Sequence, residues 1–172
     1  LFFIPAISMR TFAEEFEMRT FDLLRTLPIS MNSIVFGKLI GTLLLVFIIL
    51  IPTGIFVYSI GQLGNPTGNY DASLITGSYV GLVLLCAIFI CLSTLASALV
   101  SKQSLAFVLG LIFNFVCWQG LQEVSALETW SVYSHYQQMS KGVIDGSSVF
   151  YYLGVCLALI GLIRLRLDLK YS

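Results

Sequence analysis

Apolar residues in this chain fall into long unbroken runs, and charge is almost confined to the gaps between them. No Asp, Glu, Lys or Arg occurs from Leu39 to Tyr70, Ala72 to Ser101, Gln103 to Gln122 or Gly146 to Ile163. A helix needs about 20 mostly apolar residues to cross the hydrocarbon core of a bilayer, and each interval supplies them. Strands of a membrane barrel would alternate in polarity over about ten residues, which runs such as Thr42–Ile51, TLLLVFIILI, do not. The pattern predicts an all-α integral membrane protein, a polytopic helical bundle with spans at 35–59, 75–100, 104–121 and 147–165. Ser101-Lys102-Gln103 leaves room only for a tight turn, so the second and third spans should form an antiparallel pair.

One segment breaks the pattern. Residues 1–9, LFFIPAISM, are too short for a span and lack the basic start and cleavage site of a signal peptide. They read as the end of a preceding helix, so the expectation is a fragment whose earlier spans are absent. Then follow Arg10, Glu14, Glu15, Glu17, Arg19, Asp22 and Arg25, in a chain with only nine basic and nine acidic residues. At 100° per residue, Phe12, Ala13, Phe16, Thr20, Leu23, Leu24 and Leu27 share one side and the acids and Arg25 share the other, which predicts a single amphipathic helix. Arg10–Glu14 and Glu15–Arg19 have the spacing of helical ion pairs. Pro28 should end the helix at Leu27, and Ser30 or Asn32 can cap the next one.

Two readings of this helix stand side by side. It could lie in the headgroup layer, but such helices usually carry a basic polar face. Here Glu14, Glu15, Glu17 and Asp22 oppose Arg10, Arg19 and Arg25. Met18 and Phe21 project from the charged side on the wheel, and apolar side chains ringed by charge resemble a contact patch with an anchor and a polar rim. The second reading, a docking handle for a soluble partner, is therefore preferred.

Composition agrees with the membrane assignment: 58% of residues are hydrophobic and 10% charged, against roughly a quarter charged in soluble domains. Lys and Arg beside short loops mark the cytoplasmic side. Arg10, Arg19, Arg25, Lys38, Lys102, Arg164, Arg166 and Lys170 fall on one side and Lys141 alone on the other. Residues 10–30 and the C-terminus are expected on the cytoplasmic side. Asn65-Pro66 and Gly68-Asn69 are turn signals on the outer side. The outer connection after Gln122 carries Trp130, Tyr133 and Tyr136, rings that favour the membrane surface.

Site chemistry is sparse. Cys86, Cys91, Cys117 and Cys156 sit in apolar spans without CxxC spacing, as small hydrophobes do. His135, alone of its type, is a poor prospect for a metal ligand, and no cofactor is expected. No ionisable group sits at mid-span, which counts against a proton-coupled carrier. Asn114 is the most polar mid-span residue; an interhelical hydrogen bond is favoured over a substrate contact. Gly37-Lys-Leu-Ile-Gly41 and Gly77-Ser-Tyr-Val-Gly81 match the close-approach motif of membrane helices and are weak signals for a dimer seam. Pro52 marks either a fixed bend or a hinge. No phosphate-binding GxxxxGK[ST] loop occurs, so any ATP chemistry belongs to another polypeptide and no catalytic residue is expected.

FAEE at Phe12–Glu15, RTFDLLRTLPIS at Arg19–Ser30 and VFGKLIG at Val35–Gly41 resemble the cytoplasmic segment between the second and third spans of ABC-2-type transporter permeases. LGNPTGNYD, GSYVGLVLL, SVYSHYQQMSKGVID and RLRLDLKYS follow in the order found in the gliding-motility-associated permeases of that group. The resemblance implies six spans per permease domain, of which this chain would hold the third to sixth and the end of the second. It implies pairing with a second permease subunit, as homo- or heterodimer, and docking of an ATP-binding cassette subunit on the cytoplasmic side. Membrane lipid completes the expected partners; nucleic acid is not one. The segment from Glu14 to Pro28 would be the coupling helix, with Glu14, Glu15, Met18, Arg19, Phe21, Asp22, Arg25 and Pro28 at the ATPase. The family pattern has Gly where this chain has Arg19 and Glu where it has Asp22. The expected function is the permease subunit of an ATP-driven transporter; the alternative is a non-transporting membrane anchor or assembly subunit.

Overall fold

The computed structural model describes residues 1–26, 28–63, 71–120, 131–142 and 145–171. The expected helix end at Leu27, the turns at Asn65–Asn69, and Trp130 lie outside them. Among the described residues eight α-helices follow in order: α1 (Phe3–Ser8), α2 (Ala13–Glu17), α3 (Phe21–Arg25), α4 (Met31–Leu63), α5 (Ala72–Leu99), α6 (Gln103–Phe115), α7 (Val132–Ser140) and α8 (Gly146–Tyr171). A π-helical turn at Val116–Gly120 extends α6. Four stretches of the described residues are long and apolar enough to cross a membrane: Met31–Leu63, Ser73–Leu99, Gln103–Gly120 and Gly146–Lys170.

These helices overrun the expected spans at most ends because nothing in the sequence stops them where hydrocarbon would end. The 33 residues of α4 reach about 50 Å at 1.5 Å per residue. Its start is set by Ser30, whose Oγ accepts the Ser33 N–H at 3.3 Å, the N-cap arrangement. Pro52 removes one backbone donor, yet α4 continues through it. Beside it, Thr53 Oγ1 donates to the Leu50 carbonyl at 2.6 Å and accepts from Tyr79 Oη of α5 at 3.0 Å.

The centre of the bundle is α5, which packs against α1, α4, α6, α7 and α8. Ile88, Phe89, Ile90 and Cys91 of α5 lie in the buried core, with Ile163 and Leu167 of α8 and Val35 and Leu39 of α4. The expected α5–α6 pair forms. Asn114 Nδ2 of α6 donates to Ser93 Oγ of α5 at 3.0 Å, both fully buried, so Asn114 makes the interhelical hydrogen bond. Gly110 permits the close approach: a Cβ there would stand 3.5 Å from Ser93 Cβ and 3.3 Å from Pro5 Cβ of α1.

Within the connection expected on the outer side, α7 packs against α5. Trp118 lies edge-on to Tyr133, with centroids 4.9 Å apart, and 6.1 Å from Tyr136. Buried Tyr152 donates its Oη to the Val132 carbonyl at 2.9 Å. His135 Nδ1 hydrogen-bonds Ser148 Oγ at 3.0 Å, and its ring stacks on Tyr151 at 4.4 Å.

This docking disposes of one expected seam. Gly77 and Gly81 face α7: a Cβ on Gly77 would collide with the Met139 carbonyl and stand 3.1 Å from Gly142 Cα, and one on Gly81 would lie 3.2 Å from Met139 Cβ. The close approach is within the chain and is not a free dimer seam. Gly37 and Gly41 have no such neighbour within 4 Å. Gly77→Ala should therefore lower the detergent-solubilised protein's thermal stability, by about 1–3 kcal/mol as overpacking does, whereas Gly41→Ala should leave it unchanged. Equal midpoints for the two variants in a thermal scan would contradict the α5–α7 contact.

Candidate functional site

The charged segment is not one helix. Three hydrogen bonds close α2. Met18 N–H donates to the Glu14 carbonyl at 2.9 Å, Arg19 N–H to Phe16 at 3.4 Å, and Thr20 N–H to Glu15 at 2.9 Å. Arg19 sits at φ +56°. This is the Schellman ending, in which the residue after the cap is left-handed and is usually glycine. The glycine implied at this position by the permease resemblance now has a physical reason, since a Cβ in that conformation costs roughly 1–2 kcal/mol. Arg19→Gly should tighten the turn, slowing amide exchange at Thr20 about fivefold for 1 kcal/mol gained. Unchanged or faster exchange would count against the left-handed turn.

The turn resets the helical phase, so α3 does not continue the wheel of α2. Phe21 was expected on the charged face; it is 1% exposed. Its ring meets Phe12 and Phe16 edge-on, at centroid distances of 6.0 and 5.1 Å, and Phe12 stacks on Phe16 at 6.2 Å. Leu23, expected on the apolar stripe, is 71% exposed, and Met18 is 61% exposed as its wheel position required. Part of the stripe turns into the bundle. Phe12 and Ala13 are fully buried, with α2 packed on α5 and α6.

Contacts from the membrane-length helices hold the segment. Ser97 of α5, fully buried, accepts the Phe12 and Ala13 N–H groups at 3.1 and 2.9 Å and donates to the Met9 carbonyl at 3.0 Å. Lys38 of α4 stands 2.6 Å from Glu15 Oε1, donates to the Thr11 carbonyl and lies 4.8 Å from the Phe12 ring centroid. Glu17 Oε2 accepts the Gln103 N–H of α6 at 3.3 Å, a carboxylate at a helix start where the dipole favours it. Lys170 of α8 places its ammonium 3.5 Å from the Phe16 ring centroid, within cation–π range.

Two further expectations change accordingly. Glu15 pairs with Lys38, not Arg19, and is turned toward the chain's own bundle. Arg164–Asp168 pairs at 3.6 Å in α8, and the expected Arg10–Glu14 pair is not seen among the described residues. Outward on the segment remain Met18, Arg19, Asp22 and Leu23, with Glu14 partly exposed, Arg25 closing α3, and Pro28 exposed beyond it. Ser97 was not foreseen. The available signal was the hydroxyl run Ser93, Thr94, Ser97 at the end of an otherwise apolar helix.

Membrane-length helices gathered at one end around a short charged segment define a polytopic helical membrane protein with a built contact element. Residues 2–165 match the family described as ABC-2 family transporter protein, and the chain belongs to that family. No curated protein and no solved structure matches it.

Proposed function

We propose that the chain is the membrane-spanning permease subunit of an ATP-driven transporter, and that residues 10–28 receive the ATP-binding cassette subunit. The observation that carries this reading is the double character of the segment. It is bonded to α4, α5 and α6 and lies under the Lys170 ammonium of α8, while Met18 and Leu23 point outward. Family membership supports a transporter membrane subunit. A second permease subunit, homo- or heteromeric, would complete the pathway. The narrower likeness to gliding-motility-associated permeases rests on the ordered sequence motifs alone.

The charge asymmetry supports a cytoplasmic segment in a bacterial inner membrane. In a background with the native Cys replaced, Asp71→Cys and Lys141→Cys should react with a membrane-impermeant maleimide added to intact cells, and Thr20→Cys and Lys102→Cys should not. The opposite labelling would invert the orientation and remove the docking site from the nucleotide side. The anchor alternative separates on motion. Trapping the bound ATPase with ADP and vanadate in nanodiscs should change amide exchange along α5; an anchor predicts no change.

A further inference from the structure

We propose that Ser97 is the positioning residue that passes displacement of the docking segment to the core helix α5, an inference that rests on the permease reading above. One fully buried hydroxyl accepts two backbone N–H groups and donates to one carbonyl, all within Met9–Ala13. Its partners lie at the junction where α1 leaves the bundle and α2 begins. No side chain of the segment itself caps α2, so its first amides depend on a hydroxyl supplied from α5.

The other attachments differ in kind. Glu17 meets Gln103 at an exposed position, and Lys38 and Lys170 act through long flexible side chains. Ser97 has a single side-chain torsion placing its hydroxyl oxygen, so any shift of Phe12 and Ala13 must either carry α5 or break bonds buried away from water. Leaving such amides unpaired costs about 1–3 kcal/mol each, which favours joint motion. Ser97 also sits one helical turn from Ser93, whose Oγ binds Asn114 of α6. Displacement at Ser97 is thereby delivered to the α5–α6 pair at the middle of the bundle.

The experiment uses the full-length permease copurified with its ATP-binding subunit in nanodiscs, with ADP–vanadate as the probe and amide exchange over residues 85–99 as the readout. The wild type should show a change of about threefold or more on trapping. Ser97→Ala should retain the ATPase subunit within about twofold, because Met18 and Leu23 are untouched, and should lose the nucleotide-dependent change. Ser97→Cys, close in size but a weak hydrogen-bonding group, should lose most of it and guards against misfolding of the Ala variant. A full wild-type response in either variant overturns the Ser97 assignment. No response in the wild type itself overturns the permease reading beneath it, so the two failures are distinct.

Discussion

Met18→Asp combined with Leu23→Asp should abolish copurification of the ATP-binding subunit while leaving membrane insertion intact. Both side chains are more than half exposed, at 61% and 71%, and neither contributes to the buried cluster of the segment. Exposed apolar side chains flanked by Glu14, Arg19 and Asp22 have the form of interface anchors inside a polar rim. Truncating one such anchor often costs about 2 kcal/mol. Placing a carboxylate in the contact adds desolvation, so the pair should weaken association at least about 100-fold. Charge reversal at Asp22 should have a smaller, salt-dependent effect, mainly on the rate of association. Pull-down at matched expression decides it. Normal copurification of the double variant would remove docking from this face, and failure to insert would assign Met18 and Leu23 to the membrane instead.

Phe21→Asp should unfold the segment itself. The ring is 1% exposed between Phe12 and Phe16, and losing a buried Phe costs about 3–5 kcal/mol before the carboxylate's desolvation is added. A segment of two five-residue helices depends on its tertiary packing, since helices this short are not stable alone, and the aromatic cluster is the apolar part of that packing. Trypsin should then cut at Arg19 at least about tenfold faster in inverted vesicles, which expose a cytoplasmic segment, and partner binding should fall as a consequence. Phe21→Leu, which keeps an apolar side chain of nearly the same reach, should remain resistant. The Met18/Leu23 double variant should also stay resistant, because its substitutions lie outside the cluster. Loss of partner binding by Phe21→Asp with wild-type trypsin resistance would make Phe21 an outward anchor and refute the buried placement.

Hydrocarbon thickness and the cost of burying charge made much of this protein legible in one dimension. Intervals such as Leu39–Tyr70 have no lower-energy option than spanning helices, and the short turn around Lys102 leaves α5 and α6 no partner order other than antiparallel. Ser30 capping α4 and Asn114 hydrogen-bonding across helices follow from local donor and acceptor needs. The family was legible for the same reason: the motifs that carry the resemblance are local strings.

What failed were the inferences that ran one helical phase through Arg19 or took Gly77–Gly81 for a free surface. The wheel carried Phe21 to the charged side because it counted 100° through Arg19. The left-handed turn there is stabilised by three backbone hydrogen bonds and by the aromatic cluster it closes, gains that appear only once Phe12, Phe16 and Phe21 meet. Gly77–Gly81 read as a seam between subunits, yet α7, more than 50 residues away in sequence at Met139, fills it. Glu15 had a partner at helical spacing in Arg19 and took Lys38 instead. The sequence alone determined which stretches enter the membrane, since that depends on composition summed over about 20 residues. Which side chains of the charged segment face the bundle and which face outward was decided by contacts between residues such as Ala13 and Ser97, 84 positions apart. Such contacts leave no periodic trace in either stretch, because each side chain's direction depends on the backbone of the other.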